Sequence, residues 1–449
     1  MNPIPSCHVV AMPYPGRGHI NPMMNLCKLL ASDTNVLVTF IVTEEWLGFI
    51  GSMQKPSNLH FRSIPNVIPS ELDRAADFAG FVEAVHTKME APVEELMDQL
   101  EGLPVRVIIA DTYIPWAVKV GIKRKIPVVS LWTMSPSVFT MFYHFDLLKE
   151  NQHFPVDLAE RGNEIVKYIP GISSVCLRDL PTIYFGTGQK VLNWVLKVFD
   201  CAKKSQGVMF TCCYHLDTEV TDALRALLPF PVYPVGPLIP HTDIAETPSN
   251  APNYIQWLDS RPRKSVLYIS LGSFLSVSSE QLEEIVAGVR SSGVRYLWIA
   301  RGDTSQVQEA SGEMGLVVPW CDQLLVLSHP SIGGFWTHCG WNSTMEGAFA
   351  GVPMLTFPIF LDQVPNAKQI VDDWKVGMRV KESGNETMVK REAIATKVQK
   401  FMDLDGDESK EMRRRASELK ETCRLALANG GSSASTLNDF LREILQSHC

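Results

Sequence analysis

The stretch WCDQLLVLSHPSIGGFWTHCGWNSTMEGAFAGVPMLTFPIFLDQ, residues 320–363, alternates short apolar runs with helix-length segments. Residues 331–336 and 354–357 have strand length and apolar composition, whereas 322–327, 343–350 and 363–374 carry helical patterns. A helix set between two buried runs predicts parallel strands joined by crossovers. Outward from this stretch the alternation continues. Residues 264–270, 295–300 and 316–319 read as strands and 279–290 as a helix, with terminal helices at 387–402, 407–428 and 433–447. Towards the N-terminus, 8–12, 36–42, 106–110, 127–132, 207–211 and 231–235 read as strands, and 21–31, 78–101 and 113–123 as helices. The pattern predicts an α/β chain with two Rossmann-like, doubly wound sheets facing each other across a cleft. Ligands of such sheets sit beyond the strand C-termini, so the loops there carry the chemistry.

A chain of 449 residues exceeds one typical core, and two domains are expected. The segment VGPLIPHTDIAETPSNAPN (235–253) is rich in turn formers and lacks apolar periodicity. The expected division is 1–240 and 254–430, a linker at 241–253, and a final helix within 431–449 packing back on the first domain. Hydrophobic residues make up 45% and charged residues 20%, the balance of a soluble globular protein. The net charge of −8, with no basic block, excludes nucleic acid as the main partner. Ten cysteines occur without a C-x-x-C pair, which reads as reduced thiols in a cytoplasmic protein. The first 15 residues lack a signal-type apolar core, and no run reaches the roughly 20 apolar residues of a membrane span. No Cys/His spacing fits a zinc pattern, so no metal is expected.

The polar residues of 320–363 sit where the alternation turns. Trp320 follows a strand; it is either a core residue or a flat plate for a base, where stacking is worth about 1–3 kcal/mol. Gln323 and Glu346 can grip ribose hydroxyls. Ser343 and Glu346 also match a capping box, with Asn342 as a rival cap. Under either cap a helix opens at 341–343. Its free N–H groups and positive dipole end form an anion site suited to a diphosphate. His338 is either a satisfied core histidine or a donor to phosphate. Asp362 and Gln363 are a polar pair able to read sugar hydroxyls. The residues thus describe a pocket for a nucleotide sugar.

The loop PYPGRGHINP (13–22) follows the first strand. Asn21 as cap and Pro22 in the first turn predict a helix starting there, with His19 on the loop before it. The dinucleotide fingerprint G-x-G-x-x-G is incomplete, because Asn21 holds its third glycine position. A Rossmann dehydrogenase therefore loses support. Asp111 ends the apolar run VIIAD; it either caps the next helix or orients a catalytic imidazole.

Trp320, Gln323, the HCGWNS core at 338–343, Glu346, the GVP at 351–353 and Asp362-Gln363 fall in one ungapped register. This register resembles the donor-binding signature of plant family 1 UDP-glycosyltransferases. The resemblance extends over the His19 loop, the Asp111 strand end and the linker, nearly the whole chain. It implies a GT-B fold with an acceptor-binding first domain and a UDP-sugar-binding second domain. It implies that His19 is the general base and Asp111 its partner. It further implies that Thr133 touches the sugar and that Gly272-Ser273 forms a second phosphate-contacting turn. The main chain at Cys321 would meet the base, Trp320 would stack on it, and Gln323 and Glu346 would hold the ribose. His338, Trp341, Asn342 and Ser343 would line the diphosphate site. A final Gln, as at 363, goes with glucose. Leu361 departs from the pattern, since many relatives carry a small residue there.

The reaction so implied is a single inverting displacement. An acceptor attacks the anomeric carbon of UDP-glucose opposite UDP and yields a β-glucoside, with no metal or other cofactor and with a monomer as the expected state. The acceptor would be small and lipophilic: a phenolic, terpenoid, hormone or aromatic acid. Trp46, Met134, Phe139, Phe142, Tyr143 and Phe185 either line its pocket or pack the core. Two other classes remain in view. A UDP-sugar hydrolase or epimerase would need no acceptor, and a non-catalytic UDP-sugar binding protein would need neither His19 nor Asp111.

Overall fold

The computed structural model describes residues 5–186, 189–239, 252–272, 277–300, 307, 314–383 and 388–446. Ser273 and most of the expected linker lie outside these described residues. In the first half, strands form at Cys7–Met12 (β1), Val36–Thr43 (β2), Leu59–Ile64 (β3), Val105–Asp111 (β4) and Val128–Trp132 (β5). A short antiparallel ribbon, Ile165–Val166 (β6) with Val175–Cys176 (β7), follows. Gly207–Phe210 (β8) and Val232–Pro234 (β9) complete this half. The sheet order is β3-β2-β1-β4-β5-β8-β9, with every neighbouring pair parallel. Helices cover both faces of such a sheet, so its central strands are apolar without alternation; all six residues of β1 are buried.

The second half repeats the plan with Val266–Ser270 (β10), Arg295–Ile299 (β11), Gly315–Val318 (β12), Ile332–Thr337 (β13), Met354–Thr356 (β14) and Gly377–Arg379 (β15). Its order is β12-β11-β10-β13-β14-β15, again parallel throughout. Two doubly wound α/β sheets are the architecture. In each, the winding reverses beside the first strand, and such a reversal opens a crevice at the strand C-termini. In the first sheet Met12 pairs with Ala110, which sets Asp111 one residue beyond, at the crevice edge. In the second, Ser270 pairs with Thr337, so Gly272 and His338 emerge together there.

Three local expectations change. The helix expected to begin at Asn21 begins at Arg17 and runs to Leu30, so His19 stands in its first turn rather than on a preceding loop. Pro22 lies inside this helix, where it lacks the N–H that would pair with the Gly18 carbonyl. Asn342 of the second half donates to that carbonyl instead, at 2.9 Å. The helix expected at 78–101 is two, Phe78–Lys88 and Glu90–Asp98, broken at Met89 because Pro92 belongs in a first turn. The capping box at Ser343 is not used. The helix Trp341–Ala350 starts after Gly340, which puts Glu346 in its second turn and Asn342 within its first.

The halves share apolar surface. Trp341, Met345, Cys423 and Ala426 join the core cluster of the first sheet. The last helix, Ser432–Gln446, returns to that sheet, burying Phe440 and Ile444 against residues such as Cys7 and Leu238.

Candidate active site

One cleft of about 570 Å3 runs between the two sheets, a volume ordinary for small-molecule sites. His19, Thr133, Trp320, Cys321, Gln323, His338, Trp341, Asn342, Ser343, Glu346, Asp362 and Gln363 all line it. Asp111 lies behind His19, only 2% exposed.

The His19 side chain is 20% exposed and its Nδ1 donates to Asp111 Oδ2 at 2.7 Å. The Thr133 hydroxyl stands 2.9 Å from the same nitrogen, so the residue expected to meet a sugar also braces the imidazole. Asp111 Oδ1 accepts the Tyr113 N–H at 2.9 Å. Asp111 therefore does not cap the next helix, Trp116–Arg124, which follows Pro115; its Oδ1 closes a short turn and its Oδ2 meets His19. Tyr14 and Tyr113 flank the imidazole at ring-centroid distances of 4.9 and 5.8 Å. With Nδ1 engaged, Nε2 is the nitrogen left to act on a ligand.

Across the cleft, Trp320 is 58% exposed, which removes the core reading for it. Gln323 bridges three cleft residues: its Nε2 donates to Glu346 Oε2 at 2.5 Å and Ser343 Oγ at 2.9 Å, while its Oε1 accepts from Tyr268 at 3.1 Å. The Trp341–Ala350 helix makes its first internal bond from Thr344 N–H to Gly340 C=O, at 2.9 Å. The N–H groups of Trp341, Asn342 and Ser343 therefore stand outside its ladder, at the cleft wall. His338 sits beside them between Gly272 and Gly340; a Cβ at either glycine would overlap its ring. Burial lowers the His338 pKa to about 4 against a smaller upward pull from the Ser270 backbone, so it is neutral at pH 7 and acts as a hydrogen-bonding group. Trp341 is 3% exposed and its Nε1 donates to Thr211 C=O at 3.3 Å, which makes it chiefly an inter-domain packing residue.

Glu346 is pushed up to about 7 by burial, with Gln323 pulling it down. Between its ordinary 4.5 and about 7 the folded chain holds this proton more firmly than the unfolded chain. Its contribution to stability is thus full below 4.5 and is lost as pH rises through about 7. Glu346→Gln is expected to raise the melting temperature by a few degrees at pH 8 and to match wild type near pH 4. The same change should weaken UDP binding about 10- to 100-fold, the loss of a hydrogen bond to a charged group. Thermal melts at both pH values with UDP titrations check this.

Burial also raises Asp362 to about 6, offset by the Asn366 amide 2.7 Å from its Oδ2. Gln363 Oε1 accepts the N–H groups of Ile359 and Phe360 at 2.8 and 3.0 Å, which turns its amide nitrogen outward as the free polar end.

The apolar side of the cleft departs from expectation. Of the six aromatic and methionine candidates, Met134 lines it, whereas Trp46, Phe139 and Phe142 are each 1% exposed in the core. Tyr143 and Phe185 pack against that core from outside the cleft. Phe78, Val82, Val191 and Val195 line it instead, with the buried Arg74. Nothing local in the sequence marks these residues.

Residues 214–404 match the family model described as UDP-glucoronosyl and UDP-glucosyl transferase. UDP-glycosyltransferase 87A2 of Arabidopsis thaliana is 54% identical over 441 residues, covering 97% of this chain and 96% of its own. The chain belongs to the plant family 1 UDP-glycosyltransferases. Solved structures of this family superpose on it throughout. Phytolacca americana UGT2 complexed with UDP-2fluoro-glucose and pterostilbene matches at a TM-score of 0.83 and 27% identity, covering 98% of this chain and 100% of that one. Medicago truncatula UGT71G1 complexed with UDP-glucose matches at 0.83 and 25%, covering 98% of each. The fold of this UDP-glycosyltransferase is therefore GT-B, and it is a glycosyl-transferring enzyme. Among its described residues no helix is long and apolar enough to cross a membrane, and no three His, Cys, Asp or Glu side chains gather as a metal requires.

Proposed function

We propose that this enzyme transfers glucose from UDP-glucose to a small lipophilic acceptor with inversion, forming a β-glucoside. The observation that carries the reading is the His19–Asp111 bond of 2.7 Å on the wall of a cleft whose other wall holds Trp320, Glu346, Asp362 and Gln363. His19 Nε2 takes the acceptor proton as its oxygen attacks the anomeric carbon. The Asp111 carboxylate stabilises the imidazolium that forms. The N-terminus of Trp341–Ala350 and His338 hold the diphosphate while charge builds on departing UDP. Phe78, Val82, Val191 and Val195 supply apolar walls for the acceptor. A final Gln at 363 and the UDP-glucose held by the Medicago structure support glucose as the sugar.

Trp320 is expected to stack on the uracil. Its exposure leaves it little structural work, so Trp320→Ala should weaken UDP binding about 5- to 100-fold, the loss of about 1–3 kcal/mol of stacking, with an unchanged melting temperature. Titration calorimetry with UDP decides this. The function itself is tested by UDP release from UDP-glucose with and without pooled phenols, terpenols and aromatic acids. Acceptor-dependent release with a glucoside product is expected. Release at the same rate in the absence of any acceptor would replace the transferase reading with a hydrolase.

A further inference from the structure

The loop that carries Asp362 and Gln363 turns at Leu361, whose φ of 62° lies in the left-handed region that favours glycine. A branched side chain stays there only if its surroundings hold it. The holding group comes from the other domain. Leu361 N–H donates to Thr182 Oγ1 at 2.7 Å, and Thr182 N–H donates back to the Leu361 carbonyl at 3.2 Å. Thr182 is itself fixed, because it opens the single turn Thr182–Tyr184 between Leu180, Ile183 and Tyr184, each 1% exposed or less in the acceptor-domain core. On the donor side Gln363 Oε1 ties back to Ile359 and Phe360, and Asn366 joins Asp362 to the Cys339 carbonyl. The loop is thus rigid within itself, and its apex is referenced to the acceptor domain, 179 residues away in sequence.

We infer that Thr182 is a positioning residue for sugar selection: by clamping Leu361 it sets Asp362 and Gln363 in the frame of the domain that holds His19. The sugar is then read relative to the catalytic base instead of relative to the UDP site alone. This rests on the reading of Asp362 and Gln363 as sugar-contacting residues. Thr182→Val keeps the shape but removes the hydroxyl that accepts the Leu361 N–H, and the strained turn relaxes.

The test compares UDP-glucose, UDP-galactose and UDP-xylose as donors with one fixed acceptor. For Thr182→Val the expected result is a KM for UDP-glucose about tenfold higher, the scale of one lost hydrogen bond, with a reduced preference over the other two donors. UDP affinity, acceptor KM and melting temperature stay near wild type. Thr182→Ser, which keeps the hydroxyl, behaves as wild type. Adding Leu361→Gly to Thr182→Val recovers part of the preference, since glycine enters the left-handed turn without strain; a role in mere stability would not be rescued so. Gln363→Ala and Asp362→Ala test the underlying reading. If neither changes donor choice, that reading fails and the clamp has nothing to position. If both change it while Thr182→Val leaves it intact, the clamp alone is overturned.

Discussion

Replacing His19 with alanine is expected to slow glucosyl transfer to alcohols and phenols by about 10²–10⁴-fold, the usual range for a general base, while UDP binds as before. The expectation follows from where the imidazole stands. Its Nδ1 is committed to Asp111 and Thr133, and its Nε2 is left for the acceptor. Among the described residues its side-chain hydrogen bonds go to Asp111 and Thr133, not to Trp320, Gln323, His338 or Glu346. A neutral hydroxyl attacks poorly until its proton leaves, so the loss should appear in kcat more than in donor KM. A carboxylic acid, already ionised at neutral pH, should lose far less. Rates for matched hydroxyl and carboxyl acceptors, with UDP affinity alongside, make the check. Undiminished transfer to hydroxyl acceptors would remove His19 from the chemistry.

Asp111→Asn is expected to cost about as much, again about 10²–10⁴-fold, in a protein that still folds. The two oxygens of Asp111 do different work. Oδ1 accepts the Tyr113 N–H and Oδ2 accepts from His19. An asparagine keeps the first bond with its carbonyl oxygen. Its amide then faces His19 Nδ1 as a donor, which makes that nitrogen an acceptor and moves the neutral imidazole proton to Nε2. The ring then presents a proton to the acceptor where the reaction needs a lone pair. The loss of the carboxylate also leaves the imidazolium without its counter-charge. An unchanged melting temperature with lost turnover separates this from unfolding. Turnover near wild type would reduce Asp111 to a residue that closes the turn at Tyr113.

The edges of both sheets show why some elements were not legible. β3 and β15 escaped the sequence reading, the first because LHFRSI alternates polar with apolar residues at an edge, the second because it spans three residues. Central strands announced themselves because parallel strands buried on both faces must be apolar throughout. The helix at Gln189–Ala202, which brings Val191 and Val195 to the cleft, lies between strands where no such rule applies. Pro22 misled for a related reason. Proline is a good start signal in an isolated helix, but here its missing bond is supplied across the cleft by Asn342, which the local sequence cannot express.

What the sequence by itself determined is therefore local: the apolar runs, their alternation with helices, and the spacing that puts Trp320, His338 and Gln363 beyond the ends of three strands of one sheet, with Glu346 on the helix that follows His338. Each depends on neighbours within a helix turn or a strand, and such order survives in the linear text. What tertiary structure alone decided depends on residues far apart. His19 meets Asp111 across 92 positions, Thr133 across 114, and Gly18 meets Asn342 across 324. Whether Phe139 or Phe78 faces the cleft was settled in the same way. Both are apolar and bury well, and only the packing of helix against sheet selects which one fills the core and which one lines the cleft.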